Sequence, residues 1–402
     1  MGELLNGIIS DMVSIGVNFR INDLNEAIEI RFKSPEWKLM DDTMEAVIRT
    51  ELREIGYGIK GSNKANRTAV SEGWITLAHR QRYNPIHAYF ERLRHVPYMP
   101  NTNGGPMPAP TTIEGLQVYL DNPDGWATRW LFRWMTGAIA KVFNQERNPM
   151  LVLSGQQNKG KSTFIRWLCP PELREFFREG AIRPDIKDER LRLADTFMQE
   201  VPELGSTTRR ADVEAFKDFI TRKNIVERPP YGSRPIKKPA VCSFIGSVNF
   251  DGAGFLVDTT GNTRFLVTEI NGFDFSYSNL DVNTLWREAI WFYDNFPRVW
   301  ELSTGEKEAQ QAINKQFEMV NALEDVVLQY LVITGLSTDF ETTLKIRDRL
   351  SVHYRYTTEQ AFNRELSKTL KALGAIPGRK PYRDGGPHHR GWYGVKINES
   401  EL

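Results

Sequence analysis

Gly155 and Gly160 are separated by four residues and followed at once by Lys161 and Ser162, in the run Gly155-Gln156-Gln157-Asn158-Lys159-Gly160-Lys161-Ser162. Glycines at that spacing let the chain curl until successive backbone N–H groups converge on phosphate oxygens, and a helix starting behind the bend adds positive potential. Lys161 is then expected to reach the β- and γ-phosphates of a nucleoside triphosphate, and Ser162 to set its hydroxyl on Mg²⁺. Asn158, Lys159 and Thr163 complete the expected cradle. Further along, Glu200 and Glu203 close the stretch Ala194-Asp195-Thr196-Phe197-Met198-Gln199-Glu200-Val201-Pro202-Glu203. Phosphoryl chemistry needs one acid to hold the metal's water shell and a second to orient or deprotonate the attacking water. Either glutamate could be the base, and Glu200 is taken with Ser162 as the metal pair. Asn249, at the tip of an apolar run, is a polar amide able to hold that water. Arg264, in Asp258-Thr259-Thr260-Gly261-Asn262-Thr263-Arg264, is placed to stabilise transition-state charge on a neighbouring subunit. The competing reading makes it a surface cation paired with Asp258.

These groups need elements to hold them. Met150-Leu151-Val152-Leu153 reads as a buried strand entering the glycine bend, and Thr163 to Leu168 as the helix leaving it. Val241 to Val248 is a second apolar strand, ending in Asn249. Strands and helices alternate from 150 to about 300, as an α/β nucleotide-binding core requires. Between the acidic strand and the Asn strand, Glu227 to Lys238 carries a Tyr-Gly turn among prolines and bases, which predicts a stiff projecting loop or hairpin. Arg228, Arg234, Lys237 and Lys238 would meet nucleic-acid phosphates there, and Tyr231 would stack on a base. The helix before it, Ala211 to Arg222, turns Val213, Phe216, Phe219 and Ile220 to the core.

The chain of 402 residues, with 40% hydrophobic and 26% charged residues, is too long for one core and has the composition of a globular protein. Three regions are expected. Residues 1–112 form a mainly helical, collar-like domain with its linker, including a helix capped within Asp41-Asp42-Thr43 and another from Pro85 to Arg94. Residues 113–305 form the ATPase core. Residues 306–402 form a winged-helix-like domain: helices over Asp325 to Leu336, Thr342 to Leu350 and from Thr358 onward, then a two-stranded ribbon. Lys368, Lys371, Arg379 and Lys380 are its candidate DNA contacts. The net charge of +1 argues for local rather than global contact with nucleic acid. Cys169 and Cys242 lie among apolar residues and read as reduced core side chains. No apolar run approaches the roughly 20 residues that span a bilayer. The N-terminus lacks the pattern of a secretion signal, so the bacterial cytoplasm is the expected compartment.

The same residues carry a family resemblance. From Arg82-Tyr83-Asn84-Pro85 to Phe265 the chain resembles the virulence-associated protein E family of phage and mobile-element proteins, close to superfamily-3 helicases of the AAA+ class. The matching segments are Gly155 to Ser162, Glu200-Val201-Pro202-Glu203-Leu204, Ala215 to Phe219, Arg228 to Gly232, Gly246 to Asn249, and Thr260 to Phe265. The family often has paired arginines where this chain has Thr263-Arg264. The resemblance implies an α/β AAA+ core in a ring, usually hexameric, that hydrolyses ATP with Mg²⁺ at subunit interfaces and drives single-stranded or forked DNA through a channel. Asn249 would be its polar sensor and Arg264 its finger in trans. An origin-binding initiator or loader that does not unwind needs the same site, as does the helicase part of a longer primase-helicase acting beside a primase or polymerase. A DNA-binding module with a relic loop fits poorly with intact Lys161, Ser162, Glu200 and Glu203. No primase segment is read before residue 80.

Overall fold

The computed structural model describes residues 2–55, 67–98, 112–204, 213–228, 235–249, 255–256, 262–318, 322–354, 356, 358–381 and 388–398. Two compact units divide the chain, Met1–Phe317 and Glu318–Leu402.

The first unit opens with α1 (Gly2–Ser14), β1 (Asn18–Asn22), β2 (Ile28–Arg31), β3 (Lys38–Leu39), α2 (Asp42–Glu54), α3 (Arg67–Arg80), β4 (Arg82–Tyr83) and α4 (Pro85–Arg94). The Asp41 side chain accepts from Met44 N–H and Asn84 caps α4, so both predicted helix starts occur where the capping residues stand. The expectation of a mainly helical region missed a four-stranded sheet of order β3-β2-β1-β4. Its signal was period-two alternation: Phe19 and Ile21 are buried while Asn18 and Arg20 are not, in strands too short to compete with the helical patterns around them. α1 and α3 cover the sheet through Ile8, Met12 and Val70.

Next come β5 (Leu120–Asp121), α5 (Ala127–Asn144), β6 (Met150–Gly155), α6 (Lys161–Leu168), β7 (Phe177–Glu179), α7 (Lys187–Arg192), β8 (Met198–Val201), α8 (Val213–Thr221), β9 (Asn224–Glu227), β10 (Ile236–Pro239), β11 (Ser243–Asn249), β12 (Phe265–Glu269), β13 (Gly272–Phe273), α9 (Val282–Asn295) and α10 (Thr304–Gln316). Five of these strands form a parallel sheet of order β12-β6-β11-β8-β7. β6 is buried at every position, which is why it reads as an unbroken apolar run. Three tryptophans tie helices to this sheet region while satisfying their own N–H groups. Trp130 donates to Val267 O (3.0 Å), Trp134 to Phe244 O (2.9 Å) and Trp286 to Leu168 O (3.0 Å). Cys169 and Cys242 are free and buried, and burial pushes both thiols up to about 12, as core side chains should behave.

The second unit holds α11 (Ala322–Tyr330), β14 (Leu331–Ile333), β15 (Phe340–Thr342), α12 (Thr343–Ser351), α13 (Glu359–Ala372), β16 (Ile376–Pro381), β17 (His388–Tyr393) and β18 (Val395–Ile397). Phe362, Leu366, Leu370 and Trp392 share its core. The helix predicted to run to Leu336 stops at Tyr330. Leu331-Val332-Ile333 pair with β18 instead, where the branched side chains of Val332 and Ile333 suit a strand better than a helix. No helix among the described residues is long and apolar enough to cross a membrane.

Candidate nucleotide-binding site

The C-terminal ends of β6, β8 and β11 meet at a cleft of about 470 Å³ lined by Gln157 to Thr163, Pro202, Glu203, Ser247, Asn249 and Phe275. The chain leaves β6 towards β7 on one side and leaves β11 towards β12 on the other. In open parallel sheets, ligands collect at such a reversal, outside the carboxyl ends of the strands.

The bend itself demands its glycines. A Cβ at Gly155 would stand 2.0 Å from Ile270 O, because Ile270 N–H donates to Ser154 O at 2.7 Å and closes β12's exit against the end of β6. Gly160 has φ +97° and is the residue before α6. No side chain caps α6, so its first N–H groups face the cleft without a side-chain acceptor, which is the polar arrangement that anions occupy. Lys161 is 6% exposed, and its ammonium bridges Gly155 O (2.8 Å), Gln156 O (2.6 Å) and Asn249 Oδ1 (3.3 Å). Burial lowers its pKa. Asn249 lies beside Gly155 in the ladder, so the expected amide does end the strand next to the glycine bend.

Glu200 lies on β8, and β11 stands between that strand and the glycine-bend strand β6. Its side chain has no exposed surface, and neither carboxylate oxygen makes a hydrogen bond of acceptable geometry. Burial raises its pKa and Glu179 adds to this, while the nearby Ser162 and Ser247 hydroxyls and Arg166 counter part of the shift. A buried carboxylate beside a serine hydroxyl, at the foot of an uncapped helix, suits a hydrated divalent cation. Ser247 was missed by the sequence reading. The signal was its position two residues before Asn249, which places both on one face of β11. Glu203 follows β8 at the cleft rim in a left-handed conformation (φ +48°), exposed, several residues from the buried acid's environment. Asn158, also left-handed (φ +61°), and the exposed Lys159 and Thr163 line the same cleft.

Arg264 is not brought to this cleft within one chain. It ends a 3₁₀ turn immediately before β12, and Phe265 pairs with Met150 at the opposite end of β6 from Gly155. Five residues of strand separate the two ends, about 17 Å at the usual rise.

The predicted hairpin exists as the antiparallel pair β9–β10. Tyr231 and Arg234 lie outside the described residues. Arg228 and Lys237 are exposed. Lys238 points elsewhere: its ammonium donates to Asp23 O (2.9 Å), Leu24 O (3.3 Å) and Glu26 Oε1 (2.8 Å). With Arg82 also on Glu26 (2.9 Å) and Asp23 (2.5 Å), the root of the hairpin is fastened to the β1–β2 turn, and Lys238 is not presented to solvent as a phosphate contact. In the second unit, Lys368, Lys371, Arg379 and Lys380 are all exposed.

Residues 112–319 match the profile of the virulence-associated protein E-like domain family. No curated protein matches the chain. Among solved structures, the apo structure of the NrS-1 C-terminal region (305–718) is 13% identical, covering 96% of this chain and 98% of that one, with a TM-score of 0.49. The A form of the same region is 14% identical at the same coverage, with a TM-score of 0.46.

Proposed function

The chain belongs to the virulence-associated protein E-like domain family, and from that premise we propose that it is an ATP-hydrolysing DNA helicase of phage or mobile-element replication. The observation that carries the reading is the convergence of Lys161, Ser162, Glu200, Ser247 and Asn249 on the uncapped start of α6. On this reading the α6 N–H groups and Lys161 bind the β- and γ-phosphates. Ser162 and Glu200 would hold Mg²⁺, and the ion would supply charge neutralisation at the phosphates. Glu200 or Glu203 accepts the proton of the attacking water, which Asn249 orients. Residues 113–305 are the motor of this AAA+ assignment.

The distance of Arg264 from its own cleft supports assembly into a ring, with the guanidinium completing a neighbour's site; a hexamer is the number proposed. The exposed bases of the β9–β10 hairpin, Arg228 and Lys237, are its proposed contacts with single-stranded DNA, together with Tyr231 and Arg234 of the segment outside the described residues. The second unit is proposed to be a winged-helix-like domain.

ATP turnover with and without single-stranded DNA tests the site, with Lys161→Ala as the control expected to lose turnover. Wild-type activity in that variant removes the assignment. Strand displacement on a forked substrate separates a helicase from an initiator or loader using the same ATP site.

A further inference from the structure

The end of the β16–β17 ribbon carries a charge arrangement that its own folding does not favour. The antiparallel register sets Arg379 directly opposite Arg390 and Lys380 directly opposite His389. β15 pairs with β17 only from Gly391 to Tyr393. The two opposed pairs therefore stand beyond the third strand, on a free two-stranded projection, and all four side chains are exposed.

Directly opposed side chains bring their Cβ atoms to about 5 Å, where like charges destabilise the strand pair. The ion pairs among the described residues of this unit, Lys345–Glu341, Arg347–Asp348, Arg347–Glu359 and Lys396–Asp339, do not involve either guanidinium. Alternation fixes the faces. Arg379 and Arg390 share a face with Trp392, which is 5% exposed in the core of the unit, and Lys380 lies on the other face. Positive charge thus flanks the ribbon on both sides, and a two-stranded ribbon has the width that the major groove of a duplex admits.

We propose that this ribbon is a binding site for the phosphodiester backbone of duplex DNA, gripped by Arg379 and Arg390 on one face and by Lys380 on the other. The site deepens the DNA-handling part of the function above and rests on it. A polyanion neutralises the opposed arginines, so the arrangement that weakens the free ribbon is stabilising in the complex.

The test uses the full chain with Arg390→Glu, which sets a carboxylate opposite Arg379. Binding to labelled duplex and single-stranded oligonucleotides is measured between about 50 and 200 mM salt, alongside thermal unfolding. The unfolding midpoint should equal or exceed that of wild type, because a like-charge pair becomes an opposite-charge pair. Duplex affinity should nevertheless fall about tenfold, and the dependence of log K on log salt should become shallower by about 1 to 2. Arg379→Gln/Arg390→Gln, which introduces no acid, should show the same loss in smaller degree. Unchanged duplex affinity in both variants overturns the inference, and so does a loss confined to the single-stranded probe. A wild-type chain that binds neither probe instead sinks the DNA-handling reading on which the site rests.

Discussion

Glu200→Gln separates the chemistry of the site from its stability, because the wild-type carboxylate is costly to the fold when nothing is bound to it. The side chain is fully buried, with only the Ser162 and Ser247 hydroxyls near its oxygens, and burial raises its pKa. A carboxyl that holds its proton more tightly folded than unfolded contributes stability fully present below the unfolded pKa. That contribution is lost as pH rises through the folded pKa. Above its folded pKa the charged Glu200 is therefore a net burden on the nucleotide-free protein. An unsatisfied buried polar group costs about 1–3 kcal/mol, and more if charged. Glutamine keeps the shape and some polar burial, so the variant should be about 1–2 kcal/mol more stable than wild type at pH 7. That corresponds to an unfolding midpoint roughly 2–6 °C higher. The difference should shrink as pH falls through the folded pKa and the wild-type carboxyl takes up its proton. Mg²⁺ with a nonhydrolysable ATP analogue should reverse the order, stabilising wild type more than the variant, because only the carboxylate gains a partner. Turnover should fall about 10²–10⁴-fold. Thermal unfolding across pH, with and without Mg²⁺ and nucleotide, reads all of this. A nucleotide-free variant clearly less stable than wild type at pH 7, or one that turns over ATP at the wild-type rate, refutes the reasoning.

Three further outcomes follow from other positions. Arg264→Ala should keep ATP binding and lose hydrolysis. Mixing it with Glu200→Gln subunits should restore some turnover, and absence of rescue at every ratio counts against a finger acting across an interface. Gly155→Ala should destabilise the first unit by about 3 kcal/mol or more, since its Cβ would meet the Ile270 carbonyl at 2.0 Å, a backbone atom that cannot rotate aside; denaturant titration measures it. Glu306 is lowered to about 2, where burial alone would raise it, because hydrogen bonds from Arg133, Ser303 and Arg129 prevail. Its contribution, about 3 kcal/mol by linkage, is present above the unfolded carboxylate pKa and lost as pH falls towards 2. Glu306→Gln should therefore remove it at pH 7 and flatten the acid limb of the unfolding profile.

Much of the site could be read from neighbouring residues, because its parts are local. A glycine bend between an apolar strand and a helix is a contiguous event, so Gly155 to Ser162 declared the geometry of the bend. The caps at Asp41, Asn84 and Thr358 likewise act within a turn of the helices they start. Short alternating strands such as β1 and β2 escaped because their stability comes from partners distant in sequence. β14 was taken for helix for the same reason, since only β18 makes a strand of it.

Tertiary structure decided everything that depends on strand order. The sheet sets β11 between the glycine-bend strand β6 and the acidic strand β8, and so brings Ser247 and Asn249 to the cleft. Residue type made Lys238 look like a DNA contact, and packing fastened it to Glu26. Arg264 stood out in the sequence as a candidate, whereas the parallel register alone sets it at the far end of β6 from the glycine bend. Composition and spacing determine which groups are available. Hydrogen-bond pairing between distant segments determines which of them meet, because each pairing is selected by the burial of whole strands rather than by the functional residue it happens to carry.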